Sequence, residues 1–87
     1  MLFSERINRL YNIHKWIQQG ETGTPDEFAE YFHLSRRQLY NILDELKDYG
    51  ADIRYSRTTH SYFYANEFDI SINTLHFMSN NDENKFL

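Results

Sequence analysis

The 87-residue chain contains no cysteine, which excludes disulfides and thiolate metal sites and makes a reducing compartment the default. Apolar runs are short, and none approaches the roughly 20 residues needed to span a bilayer, so no membrane partner is expected. The opening Met1-Leu2-Phe3-Ser4-Glu5-Arg6 lacks a basic stretch followed by an apolar one. No secretory signal is therefore expected, and the expected setting is the cytoplasm. Positive charge is also scarce. Lys and Arg number 9 against 13 Asp and Glu, a formal net charge of −4. That balance opposes nucleic-acid binding, because phosphate neutralisation supplies most non-specific affinity. The deficit is uneven, however. Residues 1–64 hold eight Lys/Arg against nine acids, while residues 65–87 hold one Lys against four acids.

Aromatic side chains are abundant, at 17% of the chain with seven Tyr and seven Phe. They let a small core bury much area per residue. One domain with one core fits this length. Ile7, Leu10, Ile13 and Ile17 recur at three- and four-residue steps, which predicts a helix from a Ser4 cap to about Gln19, stopped by Gly20. Glu21-Thr22-Gly23 is a connector with room for a brief strand. Thr24-Pro25-Asp26-Glu27 carries a cap, a first-turn proline and a capping-box partner, so a short second helix follows and ends near His33. Its inward residues are Phe28, Ala29 and Phe32, and Leu34 plugs the turn. Ser35 and Gln38 form a second capping box, opening a third helix whose buried stripe is Leu39, Ile42, Leu43 and Leu46 and whose end is Gly50.

Beyond Gly50 the apolar period changes to two. Ile53 and Tyr55 alternate with Arg54 and Ser56, Arg57-Thr58-Thr59-His60 is a polar turn, and Ser61 to Asn66 returns as an aromatic strand. Glu67 to Asn73 alternates again through Phe68, Ile70 and Ile72, and predicts a further strand. The expected fold class is α+β. A winged helix-turn-helix occupies residues 1–66, with a three-helix core and a β-hairpin wing. An added strand and pairing element spans 67–79, and a flexible tail 80–87.

Helix, short helix, turn, longer helix and hairpin resemble the N-terminal domains of DeoR-type bacterial transcriptional regulators over residues 5–64. The likeness rests on Arg6, Leu10, Ile13 and Ile17, on Gly23-Thr24 before Glu27-Phe28-Ala29, and on Leu34-Ser35-Arg36-Arg37. It continues through Leu43, Leu46 and Gly50, then Ile53-Arg54-Tyr55 and Tyr62-Phe63-Tyr64. The resemblance implies a third helix in the major groove and a wing on the backbone or minor groove. The chain departs from that pattern at Asn41-Ile42, where Arg-Asp is common, and at Ser61, where Gly is usual. The large effector-binding domain of full-length family members has no counterpart expected here, so no small-molecule effector domain is assigned.

With residues about 100° apart, the side of the third helix opposite its leucines holds Arg37, Tyr40, Asn41, Asp44 and Asp48, with Arg36 and Gln38 in its first turn. Arg pairs with guanine, and Asn or Gln with adenine. The expected double-stranded DNA contacts are Arg36, Arg37, Gln38, Tyr40 and Asn41, with Arg54, Arg57 and Thr58 from the wing. Asp44 and Asp48 repel phosphate and limit the footprint to about one turn past Asn41. The strand expected over residues 67–73 either extends the wing sheet or pairs with a second copy to form a homodimer. The competing expectation is a winged helix used as a protein-interaction module, motivated by the acidic total and the many aromatics. His14, His33, His60 and His76 have no metal-ligand spacing, and no nucleophilic triad, phosphate loop or carboxylate pair is present, so no enzyme activity, cofactor or metal is expected.

Overall fold

The computed structural model describes residues 3–70, and the fold is α+β: three helices followed by a two-stranded antiparallel hairpin. Helix α1 runs Phe3–Gln19, α2 Pro25–Tyr31 and α3 Arg36–Asp48, with strands β1 Ile53–Ser56 and β2 Ser61–Tyr64. Ser4 lies inside α1 rather than capping it, because the helix begins one residue earlier.

The helix ends are set by local chemistry. Thr24 Oγ1 accepts from the Glu27 N–H at 3.2 Å while Glu27 returns a carboxylate oxygen to the Thr24 N–H at 2.9 Å. Ser35 and Gln38 do the same at 3.0 and 2.8 Å. Both boxes satisfy orphan donors of a first turn. At the other ends, all three helices close with the same pair of backbone hydrogen bonds. Gly20 donates to Ile17 and Glu21 to Trp16, His33 to Glu30 and Leu34 to Ala29, Gly50 to Lys47 and Ala51 to Leu46. This closure requires a left-handed residue. Gly20 (φ 70°) and Gly50 (φ 109°) adopt it freely, but His33 (φ 57°) carries a Cβ that crowds its own backbone.

The core is one cluster. Ile7, Leu10, Ile13 and Ile17 from α1 meet Phe28 and Ala29 from α2, Leu39, Leu43 and Leu46 from α3, and Ile53 and Tyr62 from the hairpin. Trp16 is half-buried over α2, 4.1 Å from the Tyr31 ring centre and 5.4 Å from that of Phe32. Ile42, expected in the buried stripe of α3, is only partly buried at the edge of the cluster.

The Glu21–Gly23 connector forms no strand, yet it is pinned to β2 as a strand would be. The Thr22 N–H donates to Ser61 Oγ at 3.0 Å, and the Tyr62 N–H donates to Thr22 Oγ1 at 2.9 Å, all within the interior. Buried backbone donors demand such partners, and two hydroxyl side chains supply them. Ser56 pairs with Ser61 across the ladder, leaving Arg57 to His60 as a four-residue turn closed by left-handed His60 (φ 52°).

The expected strand from Glu67 does not form over Glu67–Ile70, and residues 71–79 with the tail at 80–87 lie outside the described residues. Phe68 and Ile70 alternate because they pack back onto the core cluster, not because they join a sheet. A histidine fastens this segment. His14 is completely buried, with Nδ1 2.8 Å from the Tyr64 hydroxyl and Nε2 3.0 Å from a carboxylate oxygen of Asp69. A carboxylate only accepts, so Nε2 carries the proton and the neutral ring accepts the Tyr64 O–H at Nδ1. Burial lowers the His14 pKa against the opposing pull of Asp69, and burial raises that of the Tyr64 hydroxyl.

Two outcomes follow from these contacts. His33→Gly removes the Cβ strain while keeping the closing hydrogen bonds, so it stabilises the protein by about 0.5–1 kcal/mol in urea unfolding. The buried His14 binds a proton less readily when folded than its unfolded value of 6.5. Its contribution is therefore complete above about pH 6.5 and is lost as the pH falls from there through the lowered folded-state pKa. Asp69, lowered from 3.8 by its hydrogen bond to His14, adds a second loss in more acid solution. The urea midpoint should drop on acidification below pH 6.5, and His14→Gln should flatten the upper limb of that decline.

Candidate nucleic-acid interface

Helix α3 is held by one side only. Leu39, Leu43 and Leu46 are buried, while Arg36, Arg37, Gln38, Tyr40, Asn41, Asp44 and Asp48 are exposed. Among the described residues neither the hairpin nor Glu67–Ile70 covers that polar side. The Ser35–Gln38 box fixes where the helix starts, and so fixes which direction each of these side chains takes.

The seven polar groups differ in freedom. Arg37 and Asn41 are exposed and have no hydrogen-bond or ion-pair partner among the described residues, so their donors and acceptors face solvent. Gln38 is partly used: its side-chain oxygen accepts the Ser35 N–H, leaving only the amide NH2 for another partner. Arg36 is engaged on two sides. It donates to the Tyr40 hydroxyl one turn on, its Nε lies 3.3 Å from Asp26 at the start of α2, and it sits 5.5 Å over the Tyr40 ring. The Tyr40 hydroxyl also interacts with that of Tyr62 on β2, whose pKa is pushed up to about 12, chiefly by burial and further by Tyr40. Arg36, Tyr40 and Tyr62 thus form a polar seam joining α2, α3 and the hairpin.

The hairpin residues divide. Arg57 and Thr58 are exposed at the turn, and Arg57 has no partner among the described residues. Arg54 is pinned by Asp52 through two hydrogen bonds of 3.2 and 3.0 Å. It stands opposite Phe63 in the ladder, whereas Tyr55 stands opposite Tyr62 beside Tyr40. Successive strand residues face opposite ways, so Arg54 points away from the seam that leads to α3. Arg54 is therefore not gathered with the α3 residues.

The groove on the other flank of α3 is not marked in the sequence. A shallow groove of about 320 Å³ runs between α1 and α3, with Leu10, Leu34 and Ile42 in its floor and Arg6, Arg9 and Asn41 among its rim. Arg6 donates to Glu45 at 3.0 Å across it. The half-burial of Ile42 has its reason here, since this leucine-sized side chain closes the groove floor instead of the core. No signal in the sequence pairs Arg6 with Glu45, which lie 39 residues apart.

Among the described residues no group of three or more His, Asp and Glu is placed to hold a metal ion, and no helix is long and apolar enough to cross a membrane. Comparison with known proteins finds no matching family model, no similar curated protein and no similar solved structure.

Because Arg37 and Asn41 are exposed and have no hydrogen-bond or ion-pair partner among the described residues, Arg37→Ala and Asn41→Ala should each leave the unfolding free energy within about 0.5 kcal/mol of the parent. Leu43→Ala, two residues further along the same helix but buried, should cost about 2–5 kcal/mol in the same urea titration.

Proposed function

We propose that this chain is a winged helix-turn-helix domain that binds double-stranded DNA sequence-specifically and serves as a transcriptional regulator in the bacterial cytoplasm. Helix α3 enters the major groove, Arg37 and Asn41 address base edges, and Arg57 and Thr58 at the hairpin turn meet backbone or minor groove. The observation that carries this reading is the polar side of α3, exposed among the described residues and with Arg37 and Asn41 unpartnered among them, on a helix whose other side is locked in the core. A rigid helix with free bidentate side chains is what base-edge recognition needs. Arg36, Tyr40 and Tyr62 position α3 against the hairpin and leave a guanidinium and a hydroxyl near the backbone. Gln38 contributes through its amide NH2. Asp44 and Asp48 end the contact surface, since phosphate is repelled beyond Asn41.

Two copies on a palindromic site would place their α3 helices one DNA turn apart, about 34 Å. Residues 67–70 do not serve as the pairing strand, because their apolar side chains already face the core. A second reading, a protein-interaction module, is favoured by one feature: Tyr31 is 61% exposed and packs at a tilt against Trp16 beside Phe32, giving an aromatic surface on α1 and α2.

Gel retardation of a random duplex pool at low and moderate salt separates the two. DNA recognition predicts a retained sequence motif and an affinity that falls steeply with salt as counterions are released. Arg37→Ala and Asn41→Ala should each relax one position of that motif at a cost of about 1–3 kcal/mol. No retention of any duplex at low salt, with self-association in sedimentation, would replace DNA recognition by the interaction module.

A further inference from the structure

We propose that the N-terminal half of α1 carries a second phosphate-binding edge, Arg9 with Arg6, that holds the DNA strand on the flank of α3 away from the hairpin. The proposal rests on the reading of α3 as the groove helix. A helix seated in a major groove about 12 Å wide has a sugar-phosphate strand on each side, and both strands repel the acidic remainder of this chain. On one side stand Arg36 and the hairpin turn with Arg57. Among the described residues the other side has the groove between α1 and α3, and the cations on its rim are Arg6 and Arg9.

The two arginines are prepared differently. Arg9 is half-buried and has no ion-pair partner among the described residues. It lines the same groove as Leu10, Leu34 and Ile42, so its methylene stem can lie over apolar floor while its head stays in water. A stem resting on that floor loses less freedom when the guanidinium meets an anion. Arg6 is held by Glu45 at 3.0 Å, and that carboxylate is the more sheltered partner, its side chain 27% exposed. A phosphate arriving at the rim competes with Glu45 for Arg6, so Glu45 weakens the edge that Arg9 supplies outright. Both residues are arginine, whose planar, weakly hydrated fork suits phosphate oxygens. Asn41 lines the same groove, which puts this edge directly beside the base-reading side chain. Contacts of this kind fix register and affinity and carry no sequence information.

The test is the salt dependence of binding to the duplex selected by the parent protein. Arg9→Ala should lower the slope of log affinity against log salt by about one phosphate contact and weaken all duplexes alike, with the selected motif unchanged. Glu45→Gln should act in the opposite direction, tightening binding and steepening the slope by freeing Arg6. Circular dichroism melts of both variants establish that they are folded, and Arg6→Ala in the Glu45→Gln background should cancel the gain. If the parent binds DNA and Arg9→Ala and Glu45→Gln leave its slope unchanged, the α1 edge is refuted while α3 recognition stands. A change of selected motif in Arg9→Ala likewise refutes a backbone role. If the parent retains no duplex, both readings fall together.

Discussion

Everything that α3 can do depends on its being held by one side. Leu39, Leu43 and Leu46 recur at four- and three-residue steps, so they form a stripe narrow enough for α2 and the shared core cluster to cover without wrapping the cylinder. Apolar burial is non-directional, and by itself it would let the helix roll or slide by a residue. The capping box at Ser35 and Gln38 removes that freedom at one end, and the left-handed Gly50 closure removes it at the other. With both ends and one face determined, the angular positions of Arg37 and Asn41 are determined too.

The hairpin is placed by a different kind of interaction. Two strands of four residues are too little sheet to stand alone in water. They are held from below by Ile53 and Tyr62 in the core and from the side by Thr22, whose hydroxyl accepts the Tyr62 N–H of β2 and whose own N–H donates to the Ser61 hydroxyl. The His14 node then fastens the chain leaving β2, since one buried imidazole bonds both Tyr64 at the end of the strand and Asp69 beyond it. Neutral imidazole suits this position because it offers one donor and one acceptor in fixed opposite directions, which no other side chain of that size does.

What was legible in the sequence is what is local. The boxes Thr24/Glu27 and Ser35/Gln38, the stop at Gly20 and Gly50, and the period change after Gly50 each depend on neighbours within a few residues, and all are found as expected. The misreadings share the opposite property. Phe68 and Ile70 alternate like a strand, but alternation records only which residues are apolar, and packing against His14 and Tyr64 satisfies them without a ladder. The strand-like role of Thr22, the burial of His14, and the ties from Arg36 to Asp26 and from Arg6 to Glu45 all join distant segments. Of the candidate contact residues, Arg37, Asn41, Arg57 and Thr58 stand exposed as expected. Arg54 is turned outward by the strand period and held by Asp52, and Gln38 is half committed to its cap.

The acidic total charge is less of an obstacle than its sign suggests, because electrostatic contact with a polyanion is decided within about one Debye length, roughly 10 Å at 0.1 M salt. Over that range the arrangement around α3 matters more than the sum. Arg36 and Arg37 open the helix, Arg6 and Arg9 flank it, and Asp44 and Asp48 stand further along its exposed side. Several of the cations are matched with acids: Arg36 with Asp26, Arg6 with Glu45 and Arg54 with Asp52. Exposed pairs of this kind are weak, so an approaching phosphate can displace the acid at small cost. On the proposed reading, each such displacement still subtracts a little from backbone affinity, so base-edge contacts carry a larger share of recognition. Near-neutral charge at the reading helix would then favour discrimination between sequences over tight binding to any duplex.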